Sequence, residues 1–589
     1  MKNRKIVTIT LICMLILLNA FCSGACCETA SGDLAWWQRT NVYEVYVNSF
    51  QDTNGNGYGD INGIAQHLDH FERLGVGAIW LTPVFVSPME DNGYDVADYY
   101  TINPLYGSNE DMDALLQKAG ERGIRIVMDL VYNHTSDQHE WFRASEKSRN
   151  NPYSDWYIWR DAKPVGSAPN NWRSIFGGSA WAWSQARKQY YLHTFAPSQP
   201  DLNWENPDVR QALYDIASYW VAKGVGGFRM DAIPYIKKPA DFSDGAPDAP
   251  DGMVSIHTMT ANTEGILDYL HEFKSKVQDG TDIFTVGEAN GVKPDDLPKW
   301  VGADGVFDMI FEFNHLFDTD PWHETKDWGL KDVKQALSAS QQATASNGWY
   351  PIFFENHDMP RSIDCYFPED ADGTLAGQAL ATVLLTLRGT PFIYEGEELG
   401  YQNVAWQSIE EYNDLSSKNH YAVALSKGYS EEEALAFVHR TSRDNARTPM
   451  QWNDGQNAGF TTGTPWLPVH DDYEAQNAEK EASDRNSVLE WYCTLADFRQ
   501  ANDVLIDGDY TEIAASSDQI YAYTRDNGDD KLLIAVNFTG ENASFDISEA
   551  GVADGADATV LLSNYDDIGV ADARADMLRP YEAIIARVK

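Results

Sequence analysis

Eight times along this chain an apolar run of strand length gives way to a polar loop and then to helix-spaced residues. The runs start at Asn41 (NVYEVYVNSF), Val76 (VGAIWLTPVF), Ile124 (IRIVMDLVYNH) and Gly226 (GGFRMDAI). They continue at Ile283 (IFTVGEAN), Val306 (VFDMIFEF), Trp349 (WYPIFFENHD) and Gly389 (GTPFIYEGEELG). Stretches such as NEDMDALLQKAGERG and NPDVRQALYDIASYWVAKG separate them with helical spacing. Near-continuous apolar strands need cover on both faces, and parallel strands gain it from the helices between them. Eight such units predict an α/β fold, a (β/α)8 TIM barrel.

The rhythm is interrupted once and then ends. About 90 residues separate the third and fourth runs, too many for one helix and two loops. An inserted domain (B) over 136–200 accounts for the excess. It is dense in tryptophan: Trp141, Trp156, Trp159, Trp172, Trp181 and Trp183. From about Asp507 short alternating strands such as QIYAYTRD, KLLIAVNF and ATVLLS predict a C-terminal antiparallel β-sandwich domain over 507–589. The barrel then occupies 33–135 and 201–506.

Composition narrows the function. The formal net charge is −45 and the pI about 4.4. A surface so acidic repels phosphate backbones, so no nucleic acid is expected as a partner. The 19 tryptophans and 30 tyrosines serve as core or as flat faces for ligand stacking. At the N-terminus Lys2, Arg4 and Lys5 precede the apolar IVTITLICMLILLNAF, and SGA stands before Cys26. That is the pattern of an export signal, here 1–25, and it predicts a secreted or cell-surface protein. Cys26 also allows lipid attachment, a membrane link by anchor only. Four of the six cysteines lie in or beside this segment, so neither a disulfide framework nor a zinc cluster is expected. A single Cys365–Cys493 bridge remains open, and a monomer is expected.

Catalytic groups of a (β/α)8 barrel sit at the C-terminal strand ends. Three carboxylates end strand-like runs here: Asp231, Glu288 and Asp358. Arg229 precedes Asp231 by two, so a strand puts both on one face. A neighbouring cation favours the ionised carboxylate, which suits Asp231 as a nucleophile. Glu288 follows a drier run and is expected to hold its proton as the general acid. Two carboxylates in those roles are what glycoside hydrolysis requires. His134 and His357 each follow Asn at a strand end and are expected to hold sugar hydroxyls.

These residues resemble signature regions of the α-amylase superfamily (glycoside hydrolase family 13), in its oligo-1,6-glucosidase and α-glucosidase branch. The regions are DLVYNH (129–134), GFRMD (227–231), TVGE (285–288) and ENHD (355–358), with QPDLN (199–203) and SRDNARTPMQW (442–452) as branch markers. The resemblance implies Asp231 as nucleophile, Glu288 as acid/base and Asp358 as transition-state stabiliser, with Arg229 and His357 binding substrate. It implies that Arg443 pairs with Asp95 to close the glucose pocket, that Tyr94 stacks on the sugar, and that Phe176 lies in the inserted domain's matching motif. An oligosaccharide substrate follows, with exo-acting, retaining hydrolysis of terminal α-glucosyl units.

Departures from the branch bear on specificity. Glu395 stands where Gln is frequent, and Ala289 where Met is frequent. Ala232 follows the nucleophile, and a small residue there leaves room for a differently angled aglycone. Malto-oligosaccharides with or without isomalto-oligosaccharides are therefore expected. A strict α-1,6 enzyme, a transglycosylase or sucrose isomerase, and a non-catalytic sugar-binding protein are the alternatives. The isomerases carry an Arg- and Asp-rich loop after NHD, and MPRSIDCYF lacks it.

One further stretch, QDTNGNGYGD (51–60), alternates oxygen-bearing residues as hard cations require. Counting Asp52 as position 1 puts Gly57 at position 6, but Gly63 occupies position 12 where an EF-hand has Glu. The loop follows the first predicted strand, not a helix, so a calcium sensor is excluded. The resemblance implies one structural Ca2+, with Mg2+ as the alternative, on Asp52, Asn54, Asn56, Asp60 and the Tyr58 carbonyl.

Overall fold

The computed structural model describes residues 34–316, 329–551, 558–565 and 577–588, so the expected export segment lies outside them. The eight apolar runs form eight strands: β1 (Asn41–Val45), β2 (Val76–Leu81), β3 (Arg125–Val131), β4 (Gly227–Asp231), β5 (Phe284–Glu288), β6 (Met309–Phe311), β7 (Pro351–Ile352) and β8 (Thr390–Tyr394). They pair in parallel in the order β6-β5-β4-β3-β2-β1-β8-β7. β1 closes onto β8 through Val42↔Phe392, and the seam of this TIM barrel lies between β6 and β7.

Local chemistry explains the helices between strands. Ser108 caps helix Asn109–Glu121 in a capping box with Asp111. The helix Pro207–Lys223 starts on the Asn206 cap with Pro at its first turn and stops at Gly224, whose φ of 103° suits glycine.

Alternation along the strands decides what faces inward. Val42, Trp80, Val127, Phe284 and Val286 pack together inside the barrel, while Tyr43, Ile79, Met128 and Phe228 turn outward to the helices. The period of two carries this inner face forward to Glu44, Asp129, Arg229, Asp231 and Glu288 at the C-terminal strand ends. Register does the rest, because Arg229 on β4 lies opposite Asp129 on β3.

Between β3 and the helix before β4, strands Trp159–Arg160, Gln189–Leu192 and Trp181–Ser184 form a small antiparallel sheet. Trp172–Arg173 pairs with Val254–Ser255 from beyond β4, tying this lobe to the barrel. Trp172, Trp181, Trp159 and Trp141 are all buried, so they build the lobe's core rather than a stacking surface. The ammonium of Lys238, after β4, lies 2.7 Å from Asp201 and 2.9 Å from Asn133.

The C-terminal unit is a five-stranded antiparallel sheet over Asp509–Ile513, Ile520–Asp526, Lys531–Asn537, Ala583–Val588 and Ala558–Ser563. Its second layer is small, a two-residue ladder of Ala543–Ser544 with Met577–Leu578. Tyr521, Tyr523, Ile534 and Val536 face the barrel's helices. Ala522, Leu533 and Ala535 face the small layer. Cys365 and Cys493 are free thiols, so the open disulfide is not formed.

Candidate active site

Arg229 is the centre of the site. It is 2% exposed. One Nη lies 2.7 Å from Asp231 Oδ1 and 3.1 Å from both oxygens of Asp129; the other lies 2.7 Å from Glu288 Oε2. Three carboxylates on neighbouring strands thus share one guanidinium, whose charge they hold firmly in place.

The two free oxygens matter for chemistry. Asp231 Oδ1 takes the Arg229 donor, and among the described residues Oδ2 has no partner. Glu288 Oε2 takes both Arg229 and the Ala232 N–H at 3.0 Å, which leaves Oε1 without a partner among the described residues. Ala232 reaches this position with a φ of 49°.

Burial overturns one expectation. The Asp231 side chain is 11% exposed and Glu288 24%, so Glu288 is not the drier of the two. Burial pushes the Asp231 carboxyl well up; Arg229 pulls it down, while Glu288 and Asp129 add to the rise. The cause is position on β4, a strand buried along its whole length.

Asp358 stands across from this pair. Arg447 Nη2 lies 2.6 Å and Arg443 Nη1 3.1 Å from its Oδ1. Burial opposes its ionisation, but His357, Arg443, Arg447 and Arg229 prevail and hold the carboxyl far below the usual range.

The expected Arg443–Asp95 pair does not form. Asp95 is fully buried and accepts from Ser87 Oγ at 2.8 Å, Glu90 N at 3.1 Å and Asp91 N at 3.2 Å. Burial pushes it up to about 6 against those bonds. Asn92 and Gly93, at φ of 49° and 106°, turn the chain so that Asp95 closes the loop while Asp91 faces Arg443. Arg443 Nη2 is 3.9 Å from Asp91 and 2.7 Å from Asp414. Asp414 is the cap of helix Leu415–Ser426.

Of the remaining expected residues, Tyr94, His134 and His357 are buried, and His134 meets protein groups where a sugar hydroxyl was expected. Tyr94 Oη bonds His357 Nε2 at 2.7 Å and Asp129 at 3.1 Å. His134 is buried, which lowers its proton affinity; its Nε2 lies 3.1 Å from the Tyr94 carbonyl and so positions that residue. Phe176 sits under the Arg443 guanidinium at 5.5 Å and beside Phe195 at 5.7 Å.

Sequence reasoning missed Glu44, Asp91, Asp129 as an individual residue, Asp414 and Arg447. Acids inside apolar strands (VYEVY, VMDLV) are a signal that marks Glu44 and Asp129. Nothing local marks Asp414, which meets the site only through folding.

The Asp52–Asp60 loop is held mostly by its own donors, with Thr461 added from outside it. Asp52 accepts from the N–H groups of Asn54, Gly55 and Gly57 and from Thr461 Oγ1. Burial raises the Asp52 carboxyl, yet these bonds, Thr461 first, leave it lowered overall. Asp60 accepts from Thr53, Asn54 Nδ2 and Gly63 N. Asn54 and Asn56 accept from the N–H groups of Asn56 and Tyr58. Gly57 is required by packing, since a Cβ would stand 2.1 Å from the Thr464 carbonyl oxygen. The donor set has hard-cation chemistry, but its oxygens are turned to loop hydrogens. Turning the Asn54 carboxamide would bring its oxygen beside Asp60.

The model for the α-amylase catalytic domain matches residues 44–508. The chain is 43% identical to an oligo-1,6-glucosidase of Heyndrickxia coagulans over 560 residues, 93% of this chain and 99% of that protein. Its fold matches the crystal structure of Bacillus licheniformis trehalose-6-phosphate hydrolase with a TM-score of 0.87 at 39% identity, over 94% of this chain and all of that one. It matches the isomaltulose synthase of Protaminobacter rubrum with a TM-score of 0.88 at 37% identity, over 95% of this chain and all of that one. With a carboxylate trio set at the strand ends and these likenesses along nearly its whole length, the chain belongs to the α-amylase family of glycoside hydrolases.

Proposed function

We propose that this enzyme is an exo-acting, retaining α-glucosidase that removes terminal glucosyl units from short malto- and isomalto-oligosaccharides. The observation that carries the reading is the single Arg229 guanidinium bonded at 2.7 Å to both Asp231 and Glu288. It holds the two carboxylates close, as retention at ~5–5.5 Å requires. Asp231 Oδ2 attacks the anomeric carbon while Glu288 Oε1 delivers its proton to the glycosidic oxygen. A covalent glucosyl–enzyme results. Glu288 then takes a proton from water, which releases α-glucose. In these roles the proton of the pair is carried by Glu288, since a nucleophilic Asp231 must be ionised. Asp358 stabilises the oxocarbenium-like charge in between.

The wall built by Asp91, Arg443 and Phe176 supports exo action, since a wall there would stop a glucan chain from running through the site. Among residues 359–367 the one arginine, Arg361, is fully buried and lies 3.2 Å from Glu355. It is not available to steer an isomerised product, which favours hydrolysis over sucrose isomerisation. The test is Asp231→Asn: turnover of maltose and isomaltose should fall by roughly 10⁴-fold while glucose binding persists. Normal turnover in that variant overturns the reading. Relative rates of the wild type on maltose, isomaltose, trehalose and sucrose then rank the linkages.

Two finer readings go with it. A Ca2+ ion, with Mg2+ as the weaker fit, is proposed on Asp52, Asn54, Asn56, Asp60 and the Tyr58 carbonyl, where it would stiffen the loop and take no part in the reaction. Export of a monomer is proposed from the N-terminal sequence, to be checked by the mass and N-terminus of the protein recovered outside the cell.

A further inference from the structure

Glu44 is the fourth residue of β1 and is 2% exposed. Its Oε1 lies 2.5 Å from His357 Nδ1. The other ring nitrogen lies 2.7 Å from Tyr94 Oη, which lies 3.1 Å from Asp129 Oδ2. Asp129 also receives Arg229 on both oxygens at 3.1 Å and Trp80 Nε1 at 3.3 Å.

The hydrogens along this chain can be counted. Contacts this short between nitrogen and oxygen need a hydrogen between them. Asp129, with guanidinium and indole donors on it, is an acceptor, so the one hydroxyl hydrogen of Tyr94 goes to Asp129. The Tyr94 oxygen must then accept, and His357 Nε2 must carry a hydrogen. A second hydrogen lies between Nδ1 and Glu44, whichever of the two owns it. The Glu44–His357 pair therefore holds two hydrogens and has no net charge.

We infer that Glu44 is a positioning residue of the glucose pocket: through the proton it shares with His357 it fixes the Nε2 hydrogen as a donor toward Tyr94 and Asp358. Asp358 Oδ2 lies 3.5 Å from that nitrogen. Loss of the shared proton would let the ring carry its hydrogen on Nδ1 alone. The Nε2 lone pair would then face the Tyr94 oxygen and the Asp358 carboxylate, and the chain of bonds would break. The inference rests on the α-glucosidase reading. The charged groups around the pair come from every side: Asp129 on β3, Arg229 on β4, Asp358 after β7, Glu395 directly after β8 and Arg447 beyond it. Burial pushes the Glu44 carboxyl up, against the pull of His357 and Arg229.

The experiment compares wild type, Glu44→Gln and Glu44→Leu on p-nitrophenyl α-glucoside from about pH 4 to about pH 9. It adds proton NMR of the substrate-free proteins. A Gln carboxamide donates to Nδ1 and keeps the Nε2 hydrogen, so turnover should be lower by a few fold only. Glu44→Leu should lose about 10²-fold in kcat/KM. Wild type should show a far-downfield proton resonance from the short bond, and Glu44→Gln should lack it. Equal losses of kcat/KM in Glu44→Gln and Glu44→Leu, wild-type kcat/KM in Glu44→Leu, or a wild type without the resonance overturns the inference. The resonance is read without substrate, so its absence counts against Glu44 alone. Failure of the wild type to hydrolyse any α-glucoside counts against the α-glucosidase reading instead.

Discussion

Arg443 faces Asp91 at 3.9 Å, and Asp414 holds its guanidinium at 2.7 Å from the opposite side. The wall of the proposed glucose pocket is therefore an Asp91–Arg443–Asp414 row, with Asp95 as the fastener of the turn that carries Asp91. Asp91→Ala should raise KM about tenfold or more and leave the melting temperature near that of the wild type. Asp95→Ala should do the reverse in emphasis, lowering the melting temperature by several degrees, because it leaves Ser87 and two backbone N–H groups unpaired. Steady-state kinetics beside thermal melts separates the two. Equal KM effects would place Asp95 in the wall after all.

Arg229 forks between Asp231 and Glu288, the proposed nucleophile and acid, and a lysine cannot fork. Arg229→Lys should lower kcat by on the order of 10³-fold, with KM changed far less. A variant that keeps wild-type kcat would show that the guanidinium only fills space.

Glu395 gives a stability prediction with a definite sign. It is 1% exposed; Oε2 accepts the Tyr46 N–H at 2.8 Å, and Oε1 is buried without a partner. Burial pushes its carboxyl well up; Arg361 and the Tyr46 N–H oppose, and Glu398 and Glu44 add to the rise. A carboxyl raised on folding contributes stability that is full below its unfolded value near ~4.3 and is lost as pH climbs to the folded value. Glu395→Gln removes that loss and keeps an acceptor for Tyr46. Its melting temperature should exceed that of the wild type by roughly 1–3 °C at about pH 8 and match it at about pH 4. A gain that is the same at both pH values would disprove the assignment.

The loop of Asp52 and Asp60 separates two sources of order. If a cation adds to the hydrogen bonds, a chelator should lower the melting temperature by a few degrees, and excess Ca2+ should restore it, with kcat unchanged. Melting curves that coincide with and without Ca2+ would leave the loop to its own donors. Asp60→Ala should destabilise in either case, since Asp60 also caps helix Ile61–Gln66.

The barrel was legible because its signals are local. An apolar strand with Gly or Pro at its ends, or a helix opened by Ser108 and closed by Gly224, needs only its neighbours to be recognised. Asp231, Glu288 and Asp358 were legible because a strand end is a place in the sequence as well as in space. Glu288 was misjudged as the drier acid, because dryness depends on what packs behind a residue and not on the apolar letters before it.

What the sequence alone determined is the alternating barrel, the three carboxylates at its rim and the arginine two residues before Asp231. A period of two and a period near four are written into the order of residues. Only the tertiary structure decided which aspartate of DNGYD meets Arg443, that Asp414 holds it from behind, that Glu44 meets His357, and that Asp52 gathers its own loop's N–H groups with Thr461. Those choices depend on backbone turns such as Asn92–Gly93 and on contacts between segments hundreds of residues apart, and no spacing along the chain records them.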